Sequence, residues 1–564
     1  MQFQSNFNER ESHSFSMSKK AFIACLVAWF VVVGVLWYVN TPEFSIFSEG
    51  FLFWGIALVI LFKIISLGTS KKEEGFFNIF QLLFSKEATR PGISRIAYYL
   101  SNGLLIFMAV WIIGSPVLCG PFFHAKEYSQ RIHVKEVPFS EVKEVDFTKT
   151  PIIDRDSTMV LGDRVMGKIP ELVSQFEVST EYTQISYENS VYRVTPLEYP
   201  GFIKYLGNKD EGIPAYITVN SVTGETKLVK LKDLGLPGMK YVPSGYFNHN
   251  LYRKLQMTYP TTVFGRPSFE IDDKGHPCYV CTTYGFKGYQ TKRKVNGAVL
   301  FDPITGDSKK YDMNSIPKWV DRVYPEELVM EEVDQNGSLK SGYINSVFGQ
   351  KNVTITSEGY NYLEQNGDIY IYSGITSANA DASNVGFVLV NLRTHEAMRI
   401  ASAGANEQSA MKSAEGEVRN YGYKSTFPLL VNVKGSPVYM MSLKDDNGLI
   451  KMYAMVDAEN YQKVATISSD EGFDTLRKKF IGSEVEEDDE DQQVEKDITI
   501  DSIQWLNVDG KSKCFIQDSK GNAYKMTITA KNEDVLAFLK KGDTVHIHYV
   551  EGDEVHLIKK IEHK

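Results

Sequence analysis

The most constraining feature of this sequence is an apolar run at residues 96–118, IAYYLSNGLLIFMAVWIIGSPVL. The run contains no charged residue. It is longer than the ~20 apolar residues with which a helix crosses the ~30 Å hydrocarbon layer of a membrane, so it predicts a transmembrane helix. Because a chain stays on one side of a membrane until it crosses again, this run also determines where most of the protein lies.

Two further apolar runs, at residues 21–39 and 51–67, approach the same length. We therefore expect three N-terminal transmembrane helices in a membrane region at residues 21–119, preceded by a tail at residues 1–20. The alternative for the first run is a cleaved signal peptide, which is disfavoured because no small-x-small cleavage site follows it. The apolar segment at residues 75–84 is too short to cross, and it is predicted to lie in the membrane interface as an amphipathic helix.

The charge of the connecting loops predicts the orientation of these helices, because cytoplasmic loops carry an excess of Lys and Arg. The loop between the first two runs has no basic residue, whereas the tail and the loop between the second and third runs are basic. The basic residues are Arg10, Lys19, Lys20, Lys71, Lys72, Lys86, Arg90 and Arg95. We therefore expect an integral plasma membrane protein in contact with lipid, with its N-terminus in the cytoplasm and residues 120–564 outside the cytoplasm.

Charge and cysteine content argue against two classes of protein. The chain has a net charge of −9 and a pI near 5.7, whereas a nucleic-acid-binding protein normally carries a basic patch. No nucleic-acid partner is therefore expected. Five cysteines are too few for a disulfide-rich scaffold of this length.

Past residue 121 the pattern changes to short alternating runs separated by Gly, Asn and Asp, which predicts strands and hairpins with helices between them. Four segments repeat one theme, an apolar strand with a central Tyr and then a second strand that ends in Asn or Asp. The repeat-defining residues are Tyr192, Tyr279, Tyr370 and Tyr439, followed by Asn220, Asp302, Asn391 and Asp457. Each Asn or Asp is predicted to form a turn, because its side chain can bond the backbone two residues further on.

These repeats divide the outer region into four predicted units. The units are residues 120–247, 248–348, 349–403 and 404–482, and helices are predicted at residues 249–257 and 410–419. The second and fourth units share the pattern Lys-Gly-x-Pro-x-Tyr. The alternative is that any strand-rich protein produces such hairpins without a true repeat.

The order of a helix, a strand with Tyr-x-Val, and then V-D/N-x-x-T-G-E resembles the PepSY domain of bacterial envelope proteins and secreted-peptidase propeptides. The resemblance covers at most residues 175–470. The third and fourth units depart from it, with Thr394-His395-Glu396 and Asn460-Tyr461-Gln462 in place of Thr-Gly-Glu. It implies a non-catalytic module that holds or inhibits an envelope protein, often a peptidase.

Two short stretches carry a second resemblance. INSVFGQ at residues 344–350 and TSEGYNY at residues 356–362 are similar to stretches in uncharacterised multi-spanning bacterial membrane proteins. This resemblance implies no activity.

The last part of the chain is predicted to be a separate domain. Residues 483–497, SEVEEDDEDQQVEKD, are strongly acidic and almost free of apolar residues, which is typical of a solvated linker. Residues 498–564 read as strands with one short helix and predict a small β-barrel, OB-like in kind. Such a barrel suggests oligonucleotide binding only by analogy of fold. The whole chain is thus predicted to be an α+β protein.

Few residues are candidates for chemistry. Cys278 and Cys281 form a Cys-x-x-Cys motif, which is a redox motif when it opens a helix. Here it lies in a predicted strand, where residues three apart point to opposite faces, so buried structural thiols are favoured over a redox pair. His546 and His548 share one face of a strand, but no third metal ligand is evident. We predict no catalytic residue, no metal and no cofactor, and we expect Asp154 or a close neighbour to cap a helix.

We therefore expect a membrane-anchored extracytoplasmic scaffold or regulator, rather than an enzyme, which binds cell-envelope proteins such as a peptidase or wall enzyme. Repeated hairpin units build extended binding surfaces. One alternative is an extracytoplasmic enzyme, either a thiol oxidoreductase that uses Cys278 and Cys281 or a hydrolase with dispersed residues. Another is a transport or channel component whose spans line a path in an oligomer. Assembly into a homo-oligomer stays open.

Overall fold

The structure of the protein is a computed structural model. It describes residues 19–68, 93–378, 383–482, 494–508, 511–528, 532–550 and 555–563. The chain folds into two compact units, which are distinct from the four predicted repeats. From here on, the first unit means residues 1–470 and the second unit means residues 471–564. The predicted interfacial segment at residues 75–84, nearly all of the N-terminal tail and most of the acidic linker lie outside the described residues.

The described part of the chain begins with four helices: α1 Lys19–Asn40, α2 Glu49–Gly68, α3 Ile93–Cys119 and α4 Pro121–Ser129. The prediction of three transmembrane helices at residues 21–119 is wrong. In the described chain one helical segment, Tyr99–Cys119, is long and apolar enough to cross a membrane. The stretches Phe30–Asn40 and Glu49–Ile60 are apolar but shorter than a span, since a helix rises only ~1.5 Å per residue.

The ends of these helices are bonded to the chain that follows. The Tyr289 amide donates to Ser115 Oγ of α3 at 2.7 Å, and the Phe44 amide after α1 donates to the Pro260 carbonyl at 2.7 Å. Leu52 of α2 and Met108 of α3 are buried in a cluster with Tyr289. The membrane-type helix is therefore packed onto the rest of the first unit.

Four antiparallel sheets make up most of the first unit, and all follow one plan. The first sheet contains β2 Glu177–Val178, β3 Thr183–Tyr187, β4 Ser190–Glu198, β5 Ala215–Asn220 and β6 Thr226–Lys230. The second contains β7 Val263–Phe264, β8 Ser268–Ile271, β9 Pro277–Gly285, β10 Lys294–Phe301 and β11 Ser308–Asp312.

The other two sheets repeat this plan. The third sheet contains β12 Thr354–Thr356, β13 Asn361–Gln365, β14 Asp368–Ser377, β15 Ser383–Asn391 and β16 Ala397–Ala405, with β1 Val134–Pro138 added in parallel along β16. The fourth contains β17 Lys424–Ser425, β18 Leu429–Val433, β19 Ser436–Lys444, β20 Ile450–Asp457 and β21 Val464–Ser468. In every sheet the first strand is broken into two segments, and both segments pair with the same second strand.

A helix precedes each sheet. These helices are α5 Arg155–Met166 with the short α6 Pro170–Val173, then α8 Leu251–Thr258, α9 Glu326–Leu339 and α10 Glu407–Glu417, while α7 Phe202–Asn208 lies between β4 and β5. Asp154 caps α5 by accepting from the Ser157 amide at 3.2 Å, which confirms the predicted cap. Asn250 and Asn406 cap α8 and α10 in the same way, because each cap satisfies an amide that the helix leaves free.

Shared apolar clusters join the first sheet to two others. Ile185 and Val194 of the first sheet are buried together with Phe269 and Phe301 of the second. Val191 of the first sheet is buried in the cluster of the third sheet and α9. Continuous burial therefore ties the first three sheets together.

The second unit contains a closed five-stranded barrel, with strand order β22-β23-β24-β26-β25. Its elements are α11 Phe473–Ile481, β22 Val494–Val508, β23 Lys511–Asp518, β24 Ala523–Thr527, α12 Glu533–Ala537, β25 Thr544–Val550 and β26 His556–His563. Ile500, Ile516 and Ile547 are among the buried residues of its core. The barrel and the mixed α+β class agree with the prediction.

Candidate functional site

The four broken strands open onto one cavity of about 770 Å³ in the first unit. Each break, at residues 179–182, 265–267, 357–360 and 426–428, contributes lining residues. The residues from the breaks are Glu181, Tyr182, Gly265, Arg266, Pro267, Tyr360, Thr426 and Phe427. A volume of this size is typical of a ligand site.

The local sequence explains why the strands break. The second and fourth breaks contain Pro267 and Pro428, and a proline has no amide to donate to a ladder. The third break contains Gly359 at φ +105°, and a Cβ there would lie 2.7 Å from the Phe427 ring. Only glycine allows this close approach between the third and fourth sheets. Segments released from their ladders in this way leave their side chains free to line the cavity.

Charged side chains from the first, second and fourth sheets and from the helices and connections line the cavity, and most of them are paired. Five of its six cations lie within 4.0 Å of a carboxylate. The pairs are Arg155–Glu181, Arg266–Glu181, Arg293–Glu331, Arg322–Glu326, Lys444–Asp154 and Lys444–Asp156. Paired charges of both signs make this a polar but nearly neutral wall.

The most buried of these pairs joins Arg322 and Glu326. The Arg322 Nε donates to both carboxylate oxygens at 2.8 Å, and the Tyr362 hydroxyl donates to Glu326 Oε1 at 2.8 Å. Burial opposes ionisation of Glu326, but the neighbouring guanidinium outweighs it and holds the pKa of Glu326 below its ordinary value. The pair therefore stays ionised at neutral pH.

Arg193 is the exception among the lining cations. Its Nη1 donates to the Ile153 carbonyl at 2.5 Å and to Thr158 Oγ1 at 3.2 Å, and only 5% of the residue is exposed. Within the described chain no carboxylate lies within 4.0 Å of its guanidinium. Burial lowers the pKa of Arg193, but an arginine keeps its charge in proteins.

Gln184 faces Arg193 directly across the β3–β4 ladder. Gln184 is 6% exposed, and neither its amide nitrogen nor its amide oxygen has a hydrogen-bond partner among the described residues. A buried polar group without a partner costs ~1–3 kcal/mol. The cavity wall thus holds a cation without a carboxylate beside an amide without a partner.

The repeat-defining residues lie elsewhere. Each Tyr lies on the second strand of its sheet, and none of these eight residues is among the described residues that line the cavity. The predicted turns are confirmed, since every Asn or Asp side chain accepts from the amide two residues on at 2.7–2.9 Å. Their role is to shape the hairpins.

Cys278 and Cys281 are free thiols on β9, and both are buried. The two residues have different partners in the sheet: Cys278 lies opposite Glu270 on β8, and Cys281 lies opposite Val299 on β10. Burial raises the pKa of both thiols, whereas reactive thiols have lowered pKa values. Two buried thiols with raised pKa values do not have the properties of a reactive pair.

His546 and His548 pair with carboxylates on the second unit. The His546 Nδ1 lies 2.7 Å from Asp497 Oδ1, and the His548 Nδ1 lies 3.3 Å from Glu495 Oε1. No group of three His, Cys, Asp or Glu side chains in the described chain could hold a metal ion.

The residues at the cavity wall were not predicted from the sequence. Gln184 and Arg193 lie on adjacent strands of the first sheet, whereas Arg322, Glu326 and Tyr362 come from other segments, and no short motif joins the five. One signal was present, since Arg193 interrupts the apolar run of β4, Val191 to Leu197. A charge in the middle of a buried strand calls for a partner.

Comparison with known proteins gives no family. No protein family matches the sequence, and no curated protein matches it. Among solved structures, an ACO/RPE65 chimera in a monoclinic crystal form is 11% identical, with a TM-score of 0.12 over 52% of this chain and 49% of that chain. A mutant of the Synechocystis apocarotenoid oxygenase is 10% identical, with a TM-score of 0.11 over 66% of this chain and 58% of that chain. The chain thus spans about half the length of these structures, and such scores carry no argument about fold or function.

Proposed function

We propose that this chain is a membrane-anchored bacterial protein that binds another protein of the cell envelope, as a scaffold or regulator. The observation that carries the proposal is the cavity, to which the broken first strands of all four sheets contribute. The PepSY-like character of these repeats is part of the proposal.

The lining supports binding rather than bond-breaking chemistry. Tyr284, Tyr360 and Phe427 stand beside Arg266 and Arg293 in the described lining. Aromatic residues and arginine are the residues that protein interfaces favour. Four of the five carboxylates in the described lining, Asp154, Asp156, Glu181 and Glu326, are held in ion pairs.

We propose that the segment Tyr99–Cys119 is the anchor. We propose that residues 120–564 lie outside the cytoplasm, with residue 44 on the same side, because its amide donates to the Pro260 carbonyl. Phe122 and Phe123, directly after α3, are exposed, and so are Ile344 and Phe348, of which Phe348 is 83% exposed. The Phe122 ring contacts Tyr343 at a centroid distance of 5.5 Å, which joins the two groups. Such an apolar rim beside a span suits the membrane interface.

Site-directed photocrosslinking in intact cells tests the binding proposal. Photoreactive residues replace Tyr360 and Phe427 at the cavity, and the control position is Tyr461, an exposed turn residue that is not among the cavity-lining residues. We expect one dominant envelope protein to be captured from the two cavity positions and not from the control. Capture of the same proteins from all three positions, or of none, would refute the proposal.

The anchoring proposal has its own test. A cysteine introduced at Gln462, which is exposed, should react with a membrane-impermeant maleimide in intact cells. Reaction only after lysis would reverse the orientation. Release of the chain from membranes by alkaline carbonate would contradict the anchor itself.

A further inference from the structure

Arg193 and Gln184 define the chemistry of what the cavity binds. The two side chains face each other across one ladder and are both more than nine-tenths buried. Four of the lining carboxylates, Asp154, Asp156, Glu181 and Glu326, pair with the other cations. They are therefore already neutralised and do not compete for Arg193.

A guanidinium presents parallel N–H donors that match a carboxylate. The side-chain amide of glutamine has an N–H donor and a C=O acceptor, so one ligand group that both donates and accepts can form hydrogen bonds with both. A peptide group is such a partner, with its N–H and its C=O. The C-terminus of an extended peptide carries both groups side by side, a terminal carboxylate and the last peptide bond.

We propose that the cavity receives the C-terminal end of a partner protein, with the terminal carboxylate on the Arg193 guanidinium and the last peptide group on the Gln184 amide. The exposed ring of Tyr360 and the ring of Phe427, which line the same cavity, contact the apolar side chains of that segment. This inference rests on the proposed function and names the ligand of its site.

Fluorescence anisotropy on the full chain in detergent micelles tests the inference. Two pools of short random-sequence peptides, labelled at the N-terminus, differ only in ending with a free carboxylate or a carboxamide. We expect the carboxylate pool to bind about tenfold more tightly or better, since a hydrogen bond to a charged group contributes at least that factor. Equal binding of the two pools, or no binding, would overturn the inference.

Substitution of Gln184 provides the matched test. Gln184→Leu removes both unpaired atoms and should lower peptide affinity about tenfold, with the thermal midpoint unchanged or higher. Gln256→Leu is the control, because Gln256 is equally buried but its Nε2 donates to the carbonyls of Tyr259, Pro260 and Thr262. The control should lose thermal stability and keep peptide affinity. If Gln184→Leu bound peptide like the native chain, the inference would fail.

Arg193→Lys keeps the positive charge but loses the parallel N–H donors of the guanidinium, so it should retain part of the peptide affinity. If this variant does not fold, Gln184→Leu decides whether the inference holds. Acetate should compete with the carboxylate pool, which supports the inference. Displacement by inorganic phosphate alone would overturn it in favour of a phosphate-bearing ligand. If crosslinking captured a partner whose binding survived loss of its C-terminus, this inference would fail while the proposed function stood.

Discussion

Arg322→Met is expected to destabilise the first unit strongly, because it removes the cation beside a buried carboxylate. The side chain of Glu326 is only 7% exposed, so water cannot replace the guanidinium. The Tyr362 hydroxyl, 2.8 Å from Glu326 Oε1, remains as a donor but carries no charge. Breaking one side of a buried ion pair costs about 3–5 kcal/mol, and we expect the free energy of unfolding to fall by about that amount at pH 8.

The pH dependence of this loss follows from the pKa of Glu326. In the native chain burial is outweighed by Arg322, and the pKa of Glu326 lies below its ordinary value of 4.5. The pair therefore contributes stability above that value and loses it as pH falls through the lowered pKa. In the variant burial acts without a cation and raises the pKa of Glu326, so stability is lost as pH rises above 4.5. The deficit of the variant should grow from pH 5 to pH 8.

The assay is urea unfolding of the full chain in detergent micelles at pH 5 and at pH 8, monitored by tryptophan fluorescence. Hydrogen exchange of Glu326–Leu339 assigns the change to the first unit. The control is Arg322→Met combined with Glu326→Gln, which removes the buried charge and should recover most of the loss at pH 8. A deficit that is the same at both pH values, or a double variant as unstable as the single one, would refute the electrostatic reasoning.

Cys278 and Cys281 should resist alkylation by iodoacetamide at pH 8 in the folded chain, since burial raises the pKa of both thiols. Both should react after denaturation. Rapid labelling of the native protein, detected by mass spectrometry, would contradict this prediction. Gly359→Ala should lower stability by about 1–3 kcal/mol, because it places a side chain at φ +105° against an aromatic ring. An unchanged thermal midpoint would count against that strain. Lys444→Met should lower the free energy of unfolding by about 1–2 kcal/mol, because it removes the ammonium group that lies 2.5 Å from the cap residue Asp154. Equal urea midpoints for the variant and the native chain would contradict this prediction.

Features set by local chemistry could be predicted from the sequence. The turns at Asn220 and Asn391 depend on a side chain that bonds amides two and three residues away, so a short window contains the whole cause. The same holds for the cap at Asp154. Cys278 and Cys281 lie on a strand and are buried, which is the position that their motif predicted.

The cavity could not be predicted, because its cause is not local. Gln184 and Arg193 are near neighbours in sequence, but Glu326 and Tyr362 reach the same wall only when separate sheets pack together. The repeats were also predicted from their Tyr strands onward, which left out the broken strand before each one. Pro267 and Pro428 were visible signals of those breaks. Three spans were predicted from apolar runs alone, whereas in the described chain one segment, Tyr99–Cys119, is both long and apolar enough to cross a membrane.

The strand β1 has a consequence for the order in which the chain folds. Among the described strands Val134–Pro138 leaves the ribosome first, yet its partners are Ala397–Ala401 in the third sheet. The Val145 amide similarly donates to the Asn432 carbonyl in the fourth sheet. Contacts so distant in sequence form slowly, since loop closure must precede them. A nascent chain that stops before residue 397 therefore carries an unpaired strand that begins 15 residues after the apolar helix ends, where it is open to pairing with a neighbouring chain.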